Sequence, residues 1–565
     1  MAKSAEKRFA IGVDYGTNSV RALVVDLADG SEVGTHVFDY PSGQSGILLD
    51  PKDPNLARQN PLDYIEGFYR SVRRAVAHAK RSRGFKPEAV VGIGVDTTGS
   101  TPIPVDRQGM PLAARPQFAK NLAAQAWLWK DHTAHAEAAE ITEKAARSKD
   151  GYLAKCGGTY SSEWYWSKLL HCLRTSPKVF QAAWAWVELA DFVPGFITGN
   201  LDPLTLPRCI CAAGHKAMYG QWWGGLPRKR FLKSLAPELA ELRDRYAPEA
   251  VASDQLAGRL TAEVAKKVGL PPGVAVAVGA FDAHMGGVGA GIKPGTLVKN
   301  IGTSTCDMMV VPEDIQLPDI PGLCGIVPGS IIPGMWGLEA GQSAVGDIFN
   351  WFVSHLTPAG FTAKGDAHVN LTKAADRLRP GESGLLALDW NNGNRTILVD
   401  PLLTGLLVGQ TLHTTAPEVY RALVESTAFG ALTIIKRLEE YGVQVKEVVN
   451  CGGIAEKNPF VMQLYADVCN RPMKISRSAQ TAALGAAVFG AVAGGAYRTT
   501  QAAQRKMTGV KSTVYRPRKA AASVYAELYE MYRTLHDALG ADQKPARLDH
   551  LMKQLIALRD RVRKG

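Results

Sequence analysis

The stretch that decides the fold is residues 278–307, VGAFDAHMGGVGAGIKPGTLVKNIGTSTCD. It joins a carboxylate that could act as a base to a turn that could bind phosphate. An apolar run ending at Val278 leads into Asp282, and a carboxylate just past a strand end can take a proton from an alcohol. A second apolar run, 297–301, meets the turn 302–305, whose backbone N–H groups and hydroxyls suit phosphate. The glycines between the two allow close packing or a hinge.

A similar turn occurs near the start of the chain. Residues 9–13 are apolar, residues 14–19 read DYGTNS, and the apolar pattern resumes at residue 22. This order predicts strand, glycine turn and strand, with Asp14 at the mouth of the hairpin. Two hairpins of this kind, one early and one midway, predict two domains of related design that face each other.

Length and composition are those of a globular protein with more than one core. At 565 residues the chain exceeds what one core usually holds, so we expect two domains. No apolar run approaches the roughly 18 residues that span a membrane, and no signal peptide is evident, so we expect no membrane partner. Eight cysteines in so long a chain do not make a disulfide framework, and we expect a cytoplasmic location.

The chain is basic, with a formal net charge of +12. Its basic residues are scattered, and the densest clusters, 80–83 and 228–230, lack aromatic residues and nucleic-acid motifs. We therefore expect a basic surface that attracts a phosphate-rich small molecule, and no nucleic-acid partner. The oligomeric state stays open, a homodimer included.

The common nucleotide-binding motifs are absent from the sequence. No Gly-Lys dipeptide completes a P-loop, and the glycines at 287, 289 and 291 have the wrong spacing for a dinucleotide fingerprint. A bound nucleotide must then be held by glycine and hydroxyl turns, at 14–17, 302–305 and 452–458. One such turn alone is commonly just a turn, but three that each follow a strand favour a binding role. The pattern of Cys209, Cys211 and His215 is too weak to predict zinc.

These turns resemble the phosphate and adenosine elements of the actin and hexokinase ATPase superfamily. GLLVG at 405–409 and PEVYRALVE at 417–425 resemble the C-terminal signature of the FGGY carbohydrate kinases, with Gln410 and Leu423 as mild departures. The resemblance spans nearly the whole chain and is closest to the members that act on L-ribulose. It is carried by GVDTTGST (94–101), LWKDHTA (128–134), YSSEWYWSKLLH (160–171), AGHK (213–216), GAFDAHMG (279–286), IGTSTCD (301–307) and GLEAGQSAVGD (337–347).

The resemblance implies an α/β fold of two ribonuclease-H-like domains, of the actin and hexokinase type, with a cleft between them. Residues 1–291 would form the sugar-binding domain and residues 292–565 the ATP-binding domain with extended C-terminal helices. The implied reaction is ATP-dependent phosphorylation of L-ribulose at O5, with Asp282 as general base. Without that context, Asp282 would be read as a strand-end acid that caps a helix.

The resemblance also implies roles for further residues. Mg²⁺ would be held near Asp14 through water. The expected ATP-binding residues are Thr17, Asn18, Gly302, Thr303, Gly346, Asn350, Gly453 and Asn458. The expected sugar-binding residues are Gly99, Trp129, Lys130, Asp131, Lys216, Asp282 and Glu339.

Two other interpretations stay open. One is a kinase for another ketopentose or polyol, such as D-ribulose, ribitol or xylulose. The other is a non-catalytic ATP-switch module like actin, in which Asp282 would face no sugar. Two structural expectations matter for the site: a helix over 160–170 capped by its serine pair, and a buried helix over 184–192.

Overall fold

The structure, a computed structural model, describes residues 7–363, 365–541, 548 and 550–564. Within these residues, two seven-stranded sheets dominate, and four smaller sheets of two or three strands accompany them. Every strand of the first large sheet precedes residue 282, and every strand of the second follows residue 295. The large sheets therefore lie on either side of the segment that begins with Asp282. The predicted division between residues 291 and 292 stays a prediction.

The first large sheet grows from the early hairpin. Strand Phe9–Tyr15 pairs antiparallel with Ser19–Asp26, which pairs antiparallel with Glu32–Asp39. Strand Val90–Thr97 lies parallel to Phe9–Tyr15 on its other side. Residues 9–13 are all buried, because both faces of the sheet are covered. This explains why the sequence there is continuously apolar and does not alternate.

The second large sheet repeats this order. Strand Thr296–Ile301 pairs antiparallel with Thr305–Pro312, which pairs antiparallel with Met335–Ala340. Strand Glu447–Cys451 then lies parallel to Thr296–Ile301 on its other side. The two halves thus share one topology, as the paired glycine turns predicted.

The remaining strands and the helices complete these layers. The other strands are Leu48–Asp50, Asp53–Gln59, Pro102–Val105, Ala126–Trp127, Ala185–Glu188, Arg208–Cys209, Ala250–Val251, Leu256–Arg259, Ala275–Ala277, Ala280–Phe281, Gly325–Pro328, Leu386–Leu388, Leu406–Val408, Met473–Ser476 and Val510–Tyr515. The α-helices are Pro61–Ala79, His135–Ala146, Tyr165–Thr175, Pro177–Ala182, Leu189–Thr198, Ile210–Lys216, Lys229–Leu235, Pro237–Leu242, Ala262–Val268, Asp282–Gly289, Gly346–His355, Ala359–Thr362, Ala367–Asp376, Ala416–Glu440, Gly453–Lys457, Pro459–Cys469, Thr481–Ala493, Thr500–Met507, Lys519–Gly540 and Leu551–Lys564. In the part of the chain so described, no helix combines the length and the apolar character needed to cross a membrane.

A helix rich in small residues, Thr481–Ala493, joins the two halves. It comes from the C-terminal half, yet it packs on strands Phe9–Tyr15 and Val90–Thr97 of the first sheet and on helix Asp282–Gly289. At Gly94 an added Cβ would overlap the carbonyl oxygen of Ala486, so this strand and the helix touch backbone to backbone. Small residues on both sides permit that approach.

The last two helices pack on the second half. Helix Lys519–Gly540 buries its tyrosine-rich face in the core of that half, where the Tyr532 hydroxyl donates to Asp389 Oδ1 at 2.9 Å. Helix Leu551–Lys564 adds Leu555 and Leu558 to the same core. The C-terminal extension therefore enlarges the core of the second half.

Two expected helices differ from the structure. The prediction of a buried helix over 184–192 is wrong for its first part, because Ala185–Glu188 is a strand paired antiparallel with Pro102–Val105. A short apolar run is compatible with a helix or a strand, and here pairing with a neighbouring strand makes it a strand. Residues 189–192 are buried and helical, as the start of helix Leu189–Thr198. The helix expected over 160–170 begins at Tyr165, after the serine pair, and Trp164 at its N-cap makes no side-chain capping bond. The Ser161 hydroxyl instead accepts from the Glu163 N–H at 3.2 Å.

Candidate active site

Asp282 stands at the start of a helix, at the edge of the first sheet. Strand Ala280–Phe281 lies parallel to Val90–Thr97, and helix Asp282–Gly289 begins with the acid itself. The Ala283 N–H donates to Asp282 Oδ1 at 2.7 Å. Burial, followed by the charge of Asp14, raises the pKa of Asp282 to about 7. A carboxylate that titrates near neutral pH is suited to accept a proton from an alcohol.

Two further acids lie beside Asp282. Asp14 and Asp96 are register partners on adjacent parallel strands. Asp96 is fully buried, and among the described residues neither of its carboxylate oxygens has a hydrogen-bond partner. Burial and then the charges of Asp14 and Asp282 raise the pKa of Asp96 well above its ordinary value. Arg21 Nη1 lies 3.5 Å from Asp14 Oδ2, which offsets only part of the negative charge of this cluster.

Lys216 and Glu339 meet across the two halves of the molecule. Lys216 Nζ donates to Glu339 Oε1 at 3.0 Å, although the residues are 123 positions apart. Lys216 is buried. Its Nζ lies 5.3 Å from the centroid of the Trp164 ring and 5.7 Å from the centroid of the Phe281 ring. Burial opposes the charge on Glu339, but Lys216 and the neighbouring histidines hold its pKa well below the ordinary value. The site therefore contains a fixed cation and a fixed anion next to Asp282.

Two histidines complete the surroundings of Glu339. His284 Nε2 lies 3.2 Å from Glu339 Oε2, and His215 Nδ1 lies 3.5 Å from the same oxygen. The other ring nitrogen of His284 lies 2.7 Å from Cys211 Sγ. Burial opposes protonation of His284, but Cys211 and Glu339 together raise its pKa to about 10.

The Gly99 loop rests on the residue before Asp282. An added Cβ at Gly99 would overlap the ring of Phe281, so glycine is required for this approach. The buried carboxylate of Glu188 also holds this loop in place. The Ser100 hydroxyl and the Thr101 N–H donate to the carboxylate of Glu188.

Lys168 connects this loop to the one that carries Trp129. Its Nζ donates to the carbonyl oxygens of Ser100 at 2.8 Å and Leu128 at 2.9 Å. Burial lowers the pKa of Lys168 to about 7, against the opposing charge of Glu188. Because Lys168 bonds to both loops, it sets their relative position. Both loops are predicted to bind sugar.

Trp129, Lys130 and Asp131 have different surroundings. Trp129 Nε1 donates to Thr17 Oγ1 at 3.1 Å, which brings the predicted sugar loop to the first phosphate hairpin. Lys130 is half-buried. Asp131 is fully buried in an ion pair with Arg58, and it also accepts from the Ala57 N–H at 2.7 Å. Asp131 thus anchors its loop, and a direct sugar contact stays a prediction.

The expected nucleotide residues of the second half gather at one turn. Gly302 and Thr303 are exposed, and their carbonyl oxygens accept from the N–H groups of Gly346 at 3.1 Å and Val345 at 2.7 Å. An added Cβ at Gly346 would overlap the Gly302 carbonyl oxygen and crowd Ile454. The turns at 302–305, 345–346 and 452–458 therefore adjoin one another.

The remaining expected ATP residues lie around these turns. Asn18, at the tip of the first hairpin, is exposed, and its side chain donates to the Ser45 carbonyl oxygen at 2.6 Å. Asn350 is exposed one helical turn after Gly346. Gly453 is exposed at the start of a short helix, and within the described ranges no atom lies within 4 Å of an added Cβ. Asn458 caps the next helix by accepting from the Val461 N–H at 3.2 Å, and its contact with adenosine stays a prediction.

Sequence reasoning missed Asp96, Lys168 and Glu188 as parts of the site. A signal for Asp96 exists, because Gly-Val-Asp occurs at 12–14 and again at 94–96, and the two triplets pair in register. Lys168 and Glu188 have no comparable local signal. Their partners at Ser100 lie 68 and 88 positions away in the sequence, and only the folded chain brings them together.

Comparisons with known proteins match both halves of the chain to one family. Residues 9–289 match the N-terminal domain, and residues 297–494 the C-terminal domain, of the FGGY family of carbohydrate kinases. The chain is 42% identical to a ribulokinase from Shouchella clausii, with 99% of each chain covered. It is 41% identical to a ribulokinase from Vibrio parahaemolyticus, with 94% of this chain and 96% of the other covered.

A solved structure supports the fold. The xylulose kinase of Rhodospirillum rubrum superimposes with a TM-score of 0.76 at 23% identity, covering 94% of this chain and 99% of that chain. The predicted two-domain α/β fold of the actin and hexokinase type is confirmed, and so is the predicted family. From these matches over both halves, we conclude that the chain belongs to the FGGY family of carbohydrate kinases.

Proposed function

We propose that the protein transfers the γ-phosphoryl group of ATP to O5 of L-ribulose, giving L-ribulose 5-phosphate. The observation that carries this proposal is the meeting of Asp282 with the Lys216–Glu339 pair in one cluster. A base, a fixed cation and a fixed anion suit a polyol substrate, which needs both donors and acceptors around its hydroxyl groups. The ribulokinase relatives named above support the choice of sugar.

In the proposed mechanism, Asp282 accepts the proton of the attacking hydroxyl. Its pKa of about 7 leaves a large ionised fraction at neutral pH, while the carboxylate stays basic enough to help the attack. Glu339 accepts hydrogen bonds from the sugar and Lys216 donates to it. Gly99 allows the sugar to approach beside Phe281. Trp129 and Lys130 form the wall towards the first hairpin, and the buried Asp131 anchors their loop.

ATP would lie along the glycine turns of both halves. Thr17, Asn18, Gly302 and Thr303 would hold the β- and γ-phosphates, since their turns are half-buried or exposed at hairpin tips. Gly346, Asn350, Gly453 and Asn458 would line the adenosine. Most of the rate enhancement would come from positioning and charge neutralisation, as is general in phosphoryl transfer.

Mg²⁺ fits the acid pair at the strand ends. The carboxylate of Asp96 has no hydrogen-bond partner among the described residues, and it faces Asp14 in register. Asp14, with Asp96 behind it, would hold the ion through water, and the bound ion would neutralise phosphate charge. We also propose a cytoplasmic location, since all eight cysteines are unpaired thiols.

The proposal is tested by ADP release with Mg-ATP and a panel of sugars. L-ribulose, D-ribulose, L-xylulose, D-xylulose, ribitol and glycerol would be compared by kcat/KM. We expect the ribuloses to be preferred and L-ribulose to be best. Preference for another polyol would refute the sugar assignment and keep the kinase. Tight ATP binding with no turnover on any sugar would favour a switch module instead.

A further inference from the structure

Arg395 and Glu163 face each other from the two halves of the molecule, and we call these two side chains the cross-half pair. Arg395 Nη2 lies 3.9 Å from Glu163 Oε1, and the side chains are 33% and 21% exposed, so a ligand can reach both. His132 Nε2 lies 3.9 Å from the same oxygen. These separations are too long for hydrogen bonds. Within the described ranges, neither the guanidinium nor the carboxylate of the pair makes a hydrogen bond to another residue.

The loop that carries Arg395, residues 394–400, is closed and strained. The N–H groups of Asn394 and Asp400 donate to each other's carbonyl oxygens at 2.8 and 2.9 Å. Between them, Ile397 has a φ of 105°, which a β-branched residue rarely adopts. Such strain persists only where the surrounding structure imposes it, and it is concentrated at sites that hold ligands.

Thr396 fixes this loop beside the strand that carries Glu339. Its Oγ1 accepts from the Gly341 N–H at 2.8 Å, and Glu339 stands two residues before Gly341. Burial opposes the charge on Arg395, but Glu163 foremost, with Glu339 among the lesser causes, raises its pKa above the ordinary value. Arg395 is therefore a lasting cation on the Glu339 side of the site.

The surroundings of Lys216 relate the cross-half pair to the proposed base. Lys216 Nζ lies 5.3 Å from the centroid of the Trp164 ring and 5.7 Å from that of the Phe281 ring. Trp164 follows Glu163 in the chain, and Phe281 precedes Asp282. A sugar that starts at Asp282 and passes Lys216 is therefore led towards the cross-half pair.

The chemistry of the cross-half pair favours an uncharged polar ligand. The two charges cancel, whereas a phosphate group would face the carboxylate of Glu163. A guanidinium only donates hydrogen bonds, and a carboxylate only accepts them. One end of a ketopentose is complementary to this pair, because its C2 carbonyl oxygen accepts and its C1 hydroxyl donates.

We propose that the cross-half pair binds the end of the sugar remote from O5, with Arg395 donating to the C2 oxygen and Glu163 accepting from the C1 hydroxyl. This subsite rests on the proposed function, since it requires O5 to lie at Asp282. It selects sugars that carry a C1 hydroxyl. It also requires both halves of the molecule, because each half contributes one of the two residues.

The test compares L-ribulose with 1-deoxy-L-ribulose, which lacks the C1 hydroxyl. With Mg-ATP and the full-length protein, kcat/KM for each sugar and the KM for ATP are measured for wild type, Glu163→Ala and Arg395→Met. The matched control is Arg174→Met, because Arg174 is 41% exposed and lies 2.6 Å from Glu140, on helices that carry none of the proposed sugar-binding residues. Thermal unfolding checks that each variant is folded.

We expect wild type and Arg174→Met to prefer L-ribulose by about tenfold or more, the effect of a charge-assisted hydrogen bond. Glu163→Ala should lose this preference, because the acceptor for the C1 hydroxyl is gone. Arg395→Met should use both sugars about tenfold less well and keep the preference, because both sugars have the C2 oxygen. The KM for ATP should change little in all variants.

An unchanged preference in Glu163→Ala, or an unchanged kcat/KM in Arg395→Met, would overturn the subsite. Equal losses with sugar and with ATP would indicate a structural role and would overturn it too. In each of these cases, turnover of L-ribulose by wild type would leave the proposed function in place. If wild type phosphorylates neither sugar, the proposed function and the subsite are both refuted.

Discussion

At the scale of single residues, two carboxylates of the same site have opposite environments. Asp282 is half-buried near Asp14, and its pKa rises to about 7. Glu339 has Lys216 and two histidines around it, and its pKa stays well below the ordinary value. A pair of acids whose pKa values are separated in this way commonly divides its roles. Here Asp282 can exchange a proton near neutral pH, while Glu339 stays an ionised acceptor.

The first prediction concerns Asp282→Asn. We expect kcat to fall by about 10²- to 10⁴-fold while ATP affinity is kept, because the variant loses proton acceptance and retains the shape of the side chain. In wild type, kcat/KM for the sugar should fall as the pH drops below about 7, where Asp282 becomes protonated. Steady-state kinetics and ATP titration measure both effects. Turnover close to that of wild type in the variant would refute the assignment of Asp282 as the general base.

Stability provides a control for the same variant. The pKa of Asp282 is raised in the folded protein, so the folded state binds the proton more strongly than the unfolded chain. Its contribution to stability is therefore lost as the pH rises from its ordinary pKa of about 4 through about 7. At pH 8, Asp282→Asn should unfold at a temperature no lower than wild type. A clear fall in Tm would indicate misfolding instead of a lost base.

The second prediction concerns Glu339→Gln. Its amide keeps the size of the side chain but removes the charge that Lys216 and the sugar require. We expect the sugar KM to rise about 10- to 100-fold, since charge-assisted hydrogen bonds are lost, and the ATP KM to change little. Initial rates with each substrate varied in turn separate the two constants. Equal increases in both would indicate a structural role for Glu339.

At the scale of elements, the contact between helix Thr481–Ala493 and the first sheet organises the site. The helix touches the strands that carry Asp14 and Asp96 near their ends, and it also touches the helix that begins with Asp282. Its sequence, TAALGAAVFGAVA, contains few side chains larger than valine, which is why its backbone reaches the strands. The position of all three acids therefore depends on one closely packed helix from the other half of the chain.

The third prediction tests this packing with Gly94→Ala. The new Cβ would overlap the Ala486 carbonyl oxygen, so the helix must move. We expect a loss of about 1–3 kcal/mol in the free energy of unfolding, as for overpacked cores, together with lower activity. Gly360→Ala is the control, because no atom of the residues that the structure describes lies within 4 Å of its added Cβ. Denaturant unfolding compares the two, and equal stabilities would contradict the proposed contact.

At the scale of the whole molecule, the sequence predicts the architecture better than the details of the site. The two glycine hairpins are local patterns, so the order of residues along the chain is enough to predict two related domains. The meeting of Lys216 and Glu339 joins parts of the chain 123 residues apart, and only the family resemblance suggested it. The strand Ala185–Glu188 and the anchoring of Asp131 by Arg58 depend on partners distant in sequence, which no local pattern contains.

The most direct test of the central claim is the identity of the phosphorylated product. The protein would be incubated with Mg-ATP and L-ribulose, and the mixture followed by ³¹P and ¹³C NMR. The account predicts a phosphate monoester coupled to C5 of the sugar, formed in step with ADP. Inorganic phosphate as the sole new phosphorus signal besides ADP would contradict it, since ATP would then be hydrolysed without transfer to a sugar hydroxyl.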